Sequence, residues 1–244
     1  MKLKICFLFI FSCVFLFCTV NILYDIYNEK QQNEIIDSLI EIGDVKPSDE
    51  INNLPQINFS KLREINSDIV GWIIIDGTQV NYPIVQGNNN SYYLNHSYDE
   101  NYNSYGSIFM DYRSNNDFSD LNTFLYGHYT SNGSMFGELK KYMKKSFYEQ
   151  HPFFYILTPT ENYKVEIFSA YIDDALSDSY NLNFSNLNDY SMYLRNIKSK
   201  SQYITNVDVD YANDRIVTLY SCSHELGSKT ERYFIHGKII SLNE

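Results

Sequence analysis

Hydrophobic residues follow three different rhythms along this chain. From Ile5 to Leu23 they run almost without interruption, with Ser12, Thr19, Asn21 and the cysteines as exceptions and no charged residue. A stretch of that length crosses the hydrocarbon core of a bilayer as a helix. From Asp25 to Ile42 apolar residues recur at Ile26, Ile35, Ile36, Leu39 and Ile40 among polar ones. That pattern fits an amphipathic helix leaving the membrane, and equally a plain stalk. Gly43 to Pro55 loses the periodicity and collects Gly, Pro, Ser, Asp and Asn, the composition of a linker, so a globular body begins near Ile57.

Within the body the rhythm shortens to runs rich in β-branched and aromatic residues. Phe59 to Asn66 fits a short helix, while Val70–Asp76 and Gln79–Val85 fit the strands of a hairpin joined at Gly77-Thr78. Gly87–Asn103 reads as a long loop, followed by strands over Gly106–Asp111 and Asn122–Tyr126 and a helix over Met135–Tyr142. Phe153–Thr158 and Tyr163–Ile172 form a further strand pair across a Pro159–Asn162 turn. A polar excursion from Asp173 to Asp214 carries one helix, Leu187–Ile197, and Arg215–Cys222 and Arg232–Ile240 close the chain as strands. About eight strands with few helices predict a mainly β fold, a closed or nearly closed barrel with its sites on long loops.

Composition narrows the function classes. With 44% hydrophobic and 20% charged residues the chain is neither disordered nor collagenous. Its 19 Lys and Arg against 30 Asp and Glu leave a net charge of -11, a field that repels a phosphate backbone and excludes nucleic acid as a partner. The 23 Tyr and 16 Phe fit half-buried pleated surfaces. Lys2 and Lys4 precede the apolar span and Asp25 and Glu29 follow it, which places the N-terminus in the cytoplasm and the body outside. No small-x-small cleavage site stands around Thr19 to Tyr24, so the span reads as an anchor rather than a removed signal. Phe17 is too large before Cys18 for a lipoprotein site, and modification at Cys13 would leave an apolar tail. The expected organisation is a cytoplasmic tip and transmembrane anchor (residues 1–24), a helical stalk and linker (25–56) and an extracellular domain (57–244).

Cys6, Cys13 and Cys18 lie inside the span, so Cys222 is the single thiol of the body and cannot form an internal disulfide there. Such a thiol is either incidental or a nucleophile. A nucleophile needs a base or cation to maintain the thiolate and donors for the oxyanion. Among five histidines, His128 follows an apolar strand through Gly127 and stands at a strand end. His224 is too near Cys222 along one strand to face it well, His236 lies inside a strand as a packed residue, and His96 and His151 fall in loops. Arg232 opens the last strand ten residues after Cys222, where a tight return would set its five-donor fork beside the thiol; a solvated strand-end arginine is the plainer reading. Cys222, His224 and His236 lack the paired-ligand spacing of a zinc site, so no metal is expected.

Three segments taken together resemble the signatures of sortases: Thr218-Leu-Tyr-Ser-Cys222, Leu125-Tyr-Gly-His128 and Arg232-Tyr-Phe-Ile-His-Gly-Lys238, in the order His, Cys, Arg. Asn66–Trp72, Asn81–Gln86, Asn90–Leu94, Phe109–Arg113 and the helix-bearing excursion before Arg215 look like class B sortases in particular. The resemblance covers about Phe59 to Ile240 together with the N-terminal anchor. It implies an eight-stranded β-barrel cysteine transpeptidase on the outer face of a Gram-positive bacterium, without a cofactor. By position, Cys222 would be the nucleophile, His128 the acid/base and Arg232 the group that holds substrate and stabilises the oxyanion. Thr218, Leu219 and Ser221 of the cysteine motif are candidate substrate-binding positions; Ser221 stands where Thr is common, which keeps the hydroxyl. The implied partners are sorting-signal peptides of surface proteins and a cell-wall peptide amine, on lipid II or the peptidoglycan cross-bridge. Two other readings compete. An L,D-transpeptidase or wall peptidase would carry a His-Gly-x-Cys signature, which is absent, and a non-catalytic surface protein would leave Cys222 incidental.

Overall fold

No glycine or proline interrupts the chain between Ile5 and Ile42, and nothing in that stretch stops a helix once it has started. In the computed structural model, which describes residues 2–45, 54–222 and 230–242, this segment is one continuous helix, α1 (Lys2–Ile42). Span and stalk are therefore a single rod. Among the described residues its N-terminal half exposes its apolar side chains, and it is long and apolar enough to cross a membrane. The expected linker starts as part of the body: Asn58 donates its backbone N–H to the Gly43 carbonyl at 2.8 Å, and Val45 is buried. The central linker residues, 46–53, lie outside the described residues.

Asn58 caps α2 (Phe59–Ile65) by accepting from the Lys61 N–H at 3.1 Å, and the helix buries Phe59 and Leu62. Strands β1 (Ile69–Ile74) and β2 (Asn81–Val85) form the foreseen hairpin. Its loop is longer than a two-residue turn, because Ile75 N–H bonds the Val80 carbonyl and Gly77 takes a positive φ of 73°. The next foreseen strand shrinks to β3 (Phe109–Met110), followed by β4 (Asn122–Tyr126). The helix expected over Met135–Tyr142 is a 3-10 helix, Gly137–Met143, and α3 (Lys145–Gln150), not expected from the sequence, follows it. The remaining elements are β5 (Phe153–Leu157), β6 (Asn162–Asp174), α4 (Leu187–Ser199), β7 (Ile216–Cys222) and β8 (Glu231–Ser241).

The eight strands among the described residues close into a barrel in the order β1-β2-β3-β4-β7-β8-β6-β5. The β2–β3 and β4–β7 pairs are parallel and the others antiparallel. Closure removes the edges of the sheet, and Trp72, Phe124, Phe154 and Phe234 are fully buried against its two faces. Trp72 satisfies its one polar atom by donating to Asn81 Oδ1 at 2.6 Å.

One polar group sits deep in this core. His236 of β8 is fully buried; its Nδ1 donates to the Thr218 hydroxyl (2.8 Å), which donates to Asn122 Oδ1 (2.8 Å), and its Nε2 lies 3.0 Å from the Tyr171 hydroxyl. It is thus the packed strand residue that its sequence context suggested. Burial, with a smaller push from Lys200, depresses its pKa to about 3. Between the ordinary value of 6.5 and about 3 the unfolded chain binds a proton that the folded one refuses, so stability is full above that window and falls as pH drops through it. The expected slope is about 1.4 kcal/mol per pH unit. Asp173, whose burial is outweighed by Lys200 and Ser179 and whose pKa falls to about 2, adds its own loss only below about pH 4. Urea titrations between pH 4.5 and 7 should show the slope in the wild type and not in His236→Gln; an equal slope in both would refute the assignment.

Candidate active site

Strand register brings three separate pieces of chain together. In the parallel β4–β7 pair the last partners are Tyr126 and Tyr220, and the Gly127 N–H continues the ladder to the Tyr220 carbonyl at 3.3 Å. His128 and Cys222 each come two residues after that pair, Cys222 still on β7 and His128 just past the end of β4. In the antiparallel β7–β8 pair Cys222 is the direct partner of Arg232. Cys222 on β7, Arg232 on β8 and His128, two residues past the end of β4, thus come at the same end of three neighbouring strands of the barrel. His224 lies outside the described residues.

The residues around His128 explain its motif. Leu125 and Tyr126 are buried in the barrel. A Cβ on Gly127 would stand 2.5 Å from Ile108 Cδ1 and 2.6 Å from the Phe136 ring, so only glycine lets β4 pass there. The His128 carbonyl accepts from the Phe136 N–H at 3.0 Å, which fixes the backbone. Its half-buried ring points Nε2 at the Leu94 carbonyl, 2.6 Å away. A carbonyl can only accept, so Nε2 carries a hydrogen and Nδ1 is the nitrogen left to exchange a proton. Leu94 ends a short 3-10 turn (Tyr92–Leu94) anchored by fully buried Tyr93, whose hydroxyl donates to Asp68 Oδ2 at 2.8 Å and accepts from Asn66 Nδ2 at 2.9 Å.

Arg232 is half-buried. Its Nη1 donates to the Glu231 carbonyl at 2.8 Å, and its guanidinium carbon lies 5.8 Å from the centre of the Tyr220 ring. That ring is wedged edge-on against Tyr126 (5.4 Å) and Phe234 (5.1 Å). An aromatic floor of this kind restricts a long side chain and attracts its cation. Tyr220 fills the variable place of its motif and had suggested nothing; the signal available was an aromatic residue one position before a motif residue on a strand.

Beside the site lies a buried carboxylate that sequence reasoning did not single out. Asp111 is fully buried and accepts from Arg113 Nε (2.8 Å) and Nη2 (2.7 Å), the Tyr126 hydroxyl (2.6 Å) and Asn90 Nδ2 (2.8 Å). Burial alone would raise its pKa, but the Arg113 guanidinium and the Tyr126 hydroxyl outweigh it and hold the group ionised far below the usual carboxylate range. The same burial and the adjoining carboxylate push the Tyr126 phenol far up, so it remains a donor. Asp-x-Arg in a turn, with the Arg113 N–H also bonding Asp111 Oδ1 at 3.0 Å, was the legible signal.

Thr218, Leu219 and Ser221 are buried, with exposures of 0%, 0% and 1%. The Thr218 hydroxyl is committed to Asn122 and His236, and Ser221 Oγ has no hydrogen-bond partner among the described residues. Period-2 alternation sets Thr218 on the face of β7 that also carries Tyr220, and Leu219 and Ser221 on the opposite face. Among the described residues no group of His, Cys, Asp and Glu could hold a metal ion. The interior commitment of His236 takes it out of any zinc set.

The sortase domain family matches residues 73–240. Sortase B of Listeria monocytogenes is 37% identical over 232 residues, covering 93% of each chain. A Staphylococcus aureus sortase B–substrate complex superposes with a TM-score of 0.79 at 35% identity, covering 89% of this chain and 100% of that one. Sortase B of B. anthracis in complex with AAEK1 gives 0.77 at 36%, covering 88% and 99%.

Proposed function

The chain belongs to the sortase B family of cysteine transpeptidases, and we propose that Cys222 is its nucleophile, His128 its acid/base and Arg232 the cation that holds substrate and stabilises the oxyanion. An enzyme of this family cleaves a sorting signal and joins the protein to a cell-wall acceptor. The observation that supports the assignment is the register: Cys222 is the direct partner of Arg232, and Cys222 and His128 each follow the last β4–β7 pair, Tyr126 and Tyr220, by two residues.

The chemistry follows from these positions. The Cys222 thiolate attacks the threonine carbonyl of the sorting signal, and the negative charge moves to the carbonyl oxygen, where a guanidinium is the fixed counter-charge. The C–N bond then breaks, His128 gives its proton to the leaving amine, and a thioester remains. An incoming amine attacks the thioester, His128 takes the proton that the nitrogen sheds, and the thiolate leaves with the amide formed. The balance needs no oxidant, metal or cofactor. The amine is that of a cell-wall peptide, on lipid II or on the cross-bridge. Lys4 before the span and Asp25 and Glu29 after it favour a cytoplasmic N-terminus, with residues 57–244 as the extracellular catalytic domain.

The test is mass spectrometry of the full chain in detergent micelles with peptides of the Asn-Pro-x-Thr-Asn and x-Pro-x-Thr-Gly types, with and without an oligoglycine amine. Cleavage after Thr, an acyl adduct on Cys222 and a ligated product with the amine are expected. A folded protein that forms neither adduct nor product with any of the peptides would refute this assignment of the site.

A further inference from the structure

Helix α1 docks on the body through one stripe, Asn28, Gln32, Ile36, Leu39 and Gly43, spaced as successive turns of one helix face. The upper part of the stripe is apolar, as a packing face should be. Gln32 is the exception at its centre, only 2% exposed, with its Oε1 buried and without a hydrogen-bond partner among the described residues. Burying an amide with half its capacity unused is unfavourable, and a leucine would serve packing better. Its other half is engaged: Nε2 donates to the Gly106 carbonyl at 3.2 Å.

Gly106 leads directly to the site. It takes a φ of 60°, and a Cβ there would lie 2.5 Å from the Tyr93 carbonyl oxygen and 2.7 Å from that of Leu94. Its backbone is therefore wedged against the carbonyl that accepts from His128 Nε2 at 2.6 Å. We propose that Gln32 is a positioning residue, which holds Gly106 and with it the Leu94 carbonyl, so that the membrane helix itself orients the His128 imidazole. Asn28, one turn nearer the membrane, donates instead to the Ser104 hydroxyl at 3.0 Å and bypasses Leu94. The physical basis is that a small displacement of an orienting group is enough to misplace a proton-transfer partner. The inference rests on His128 being the acid/base.

The full chain in detergent micelles is assayed as wild type, Gln32→Leu, Asn28→Ala and His128→Asn, with the same sorting peptide and amine. Gln32→Leu is expected to lower kcat about tenfold with KM unchanged, as outer-sphere orienting groups do. Its melting temperature should change little, since a buried orphan oxygen is removed while the Gly106 carbonyl loses its donor. The 15N spectrum of histidine-labelled protein, with the His128 signals assigned by their absence in His128→Asn, should show the Nε2–H tautomer in the wild type and a mixture in Gln32→Leu. Asn28→Ala should leave kcat and tautomer unchanged. An unchanged kcat and tautomer in Gln32→Leu, or equal losses in Gln32→Leu and Asn28→Ala, would overturn the proposal. Full activity in His128→Asn would instead refute the role of His128, which separates the two failures.

Discussion

Cys222→Ala is expected to lower peptide cleavage and transfer by about 10⁴-fold or more while the protein melts at the wild-type temperature. Removing the nucleophile of a covalent mechanism leaves only binding and oxyanion stabilisation, and comparable deletions in other acyl-transfer enzymes cost up to about 10⁶ in kcat. The fold should tolerate the change because Cys222 is held by backbone pairing with Arg232 at the end of β7, and alanine makes the same ladder. Cys222→Ser should not restore the rate, since a hydroxyl is a much poorer nucleophile than a thiol and needs a stronger base. Steady-state assays with mass detection of the acyl adduct decide the matter. Turnover by the alanine variant within tenfold of wild type would exclude Cys222 as the attacking group.

Arg232→Ala should carry the next largest effect, a fall in kcat/KM of about 10² to 10³, the range for losing a donor to a developing oxyanion. Arg232→Lys should recover less than a tenth of that loss. A lysine carries the charge but lacks the planar five-donor fork, and it stacks less well over the Tyr220 ring that the guanidinium approaches to 5.8 Å. If lysine restored the full rate, Arg232 would be acting as a simple charge; if alanine had no effect, the solvated strand-end reading would stand. Tyr220→Leu offers an independent handle, since it removes the aromatic floor and leaves the guanidinium itself intact.

Local pattern carried most of the secondary structure. The unbroken apolar run, the absence of glycine and proline up to Gly43 and the short β-branched strands each act through neighbours in sequence, so α1, α2, β4, β5, β6, β7 and β8 were legible within a few residues. The misses came where tertiary packing overrode local preference. Gly106–Asp111 keeps only two strand residues because its backbone is diverted to Tyr93, Tyr98 and β4. The polar half of the docking stripe, Asn28 and Gln32, was invisible to a search for apolar periodicity, which had instead counted Ile26, 56% exposed in the structure.

The sequence by itself determined a membrane-length helix, a β-rich body, a single body thiol and three motifs whose order resembles one enzyme family. Those features depend on residue type and short spacing, which a linear chain displays directly. Only the tertiary structure decided that β4 runs parallel beside β7, that Arg232 pairs with Cys222 in the β7–β8 register, that the Leu94 carbonyl fixes the ring of His128 and that α1 lies against the loop supplying that carbonyl. These are pairings between distant segments, chosen by burial of the whole barrel interior and by which backbone groups remain to be satisfied once it closes.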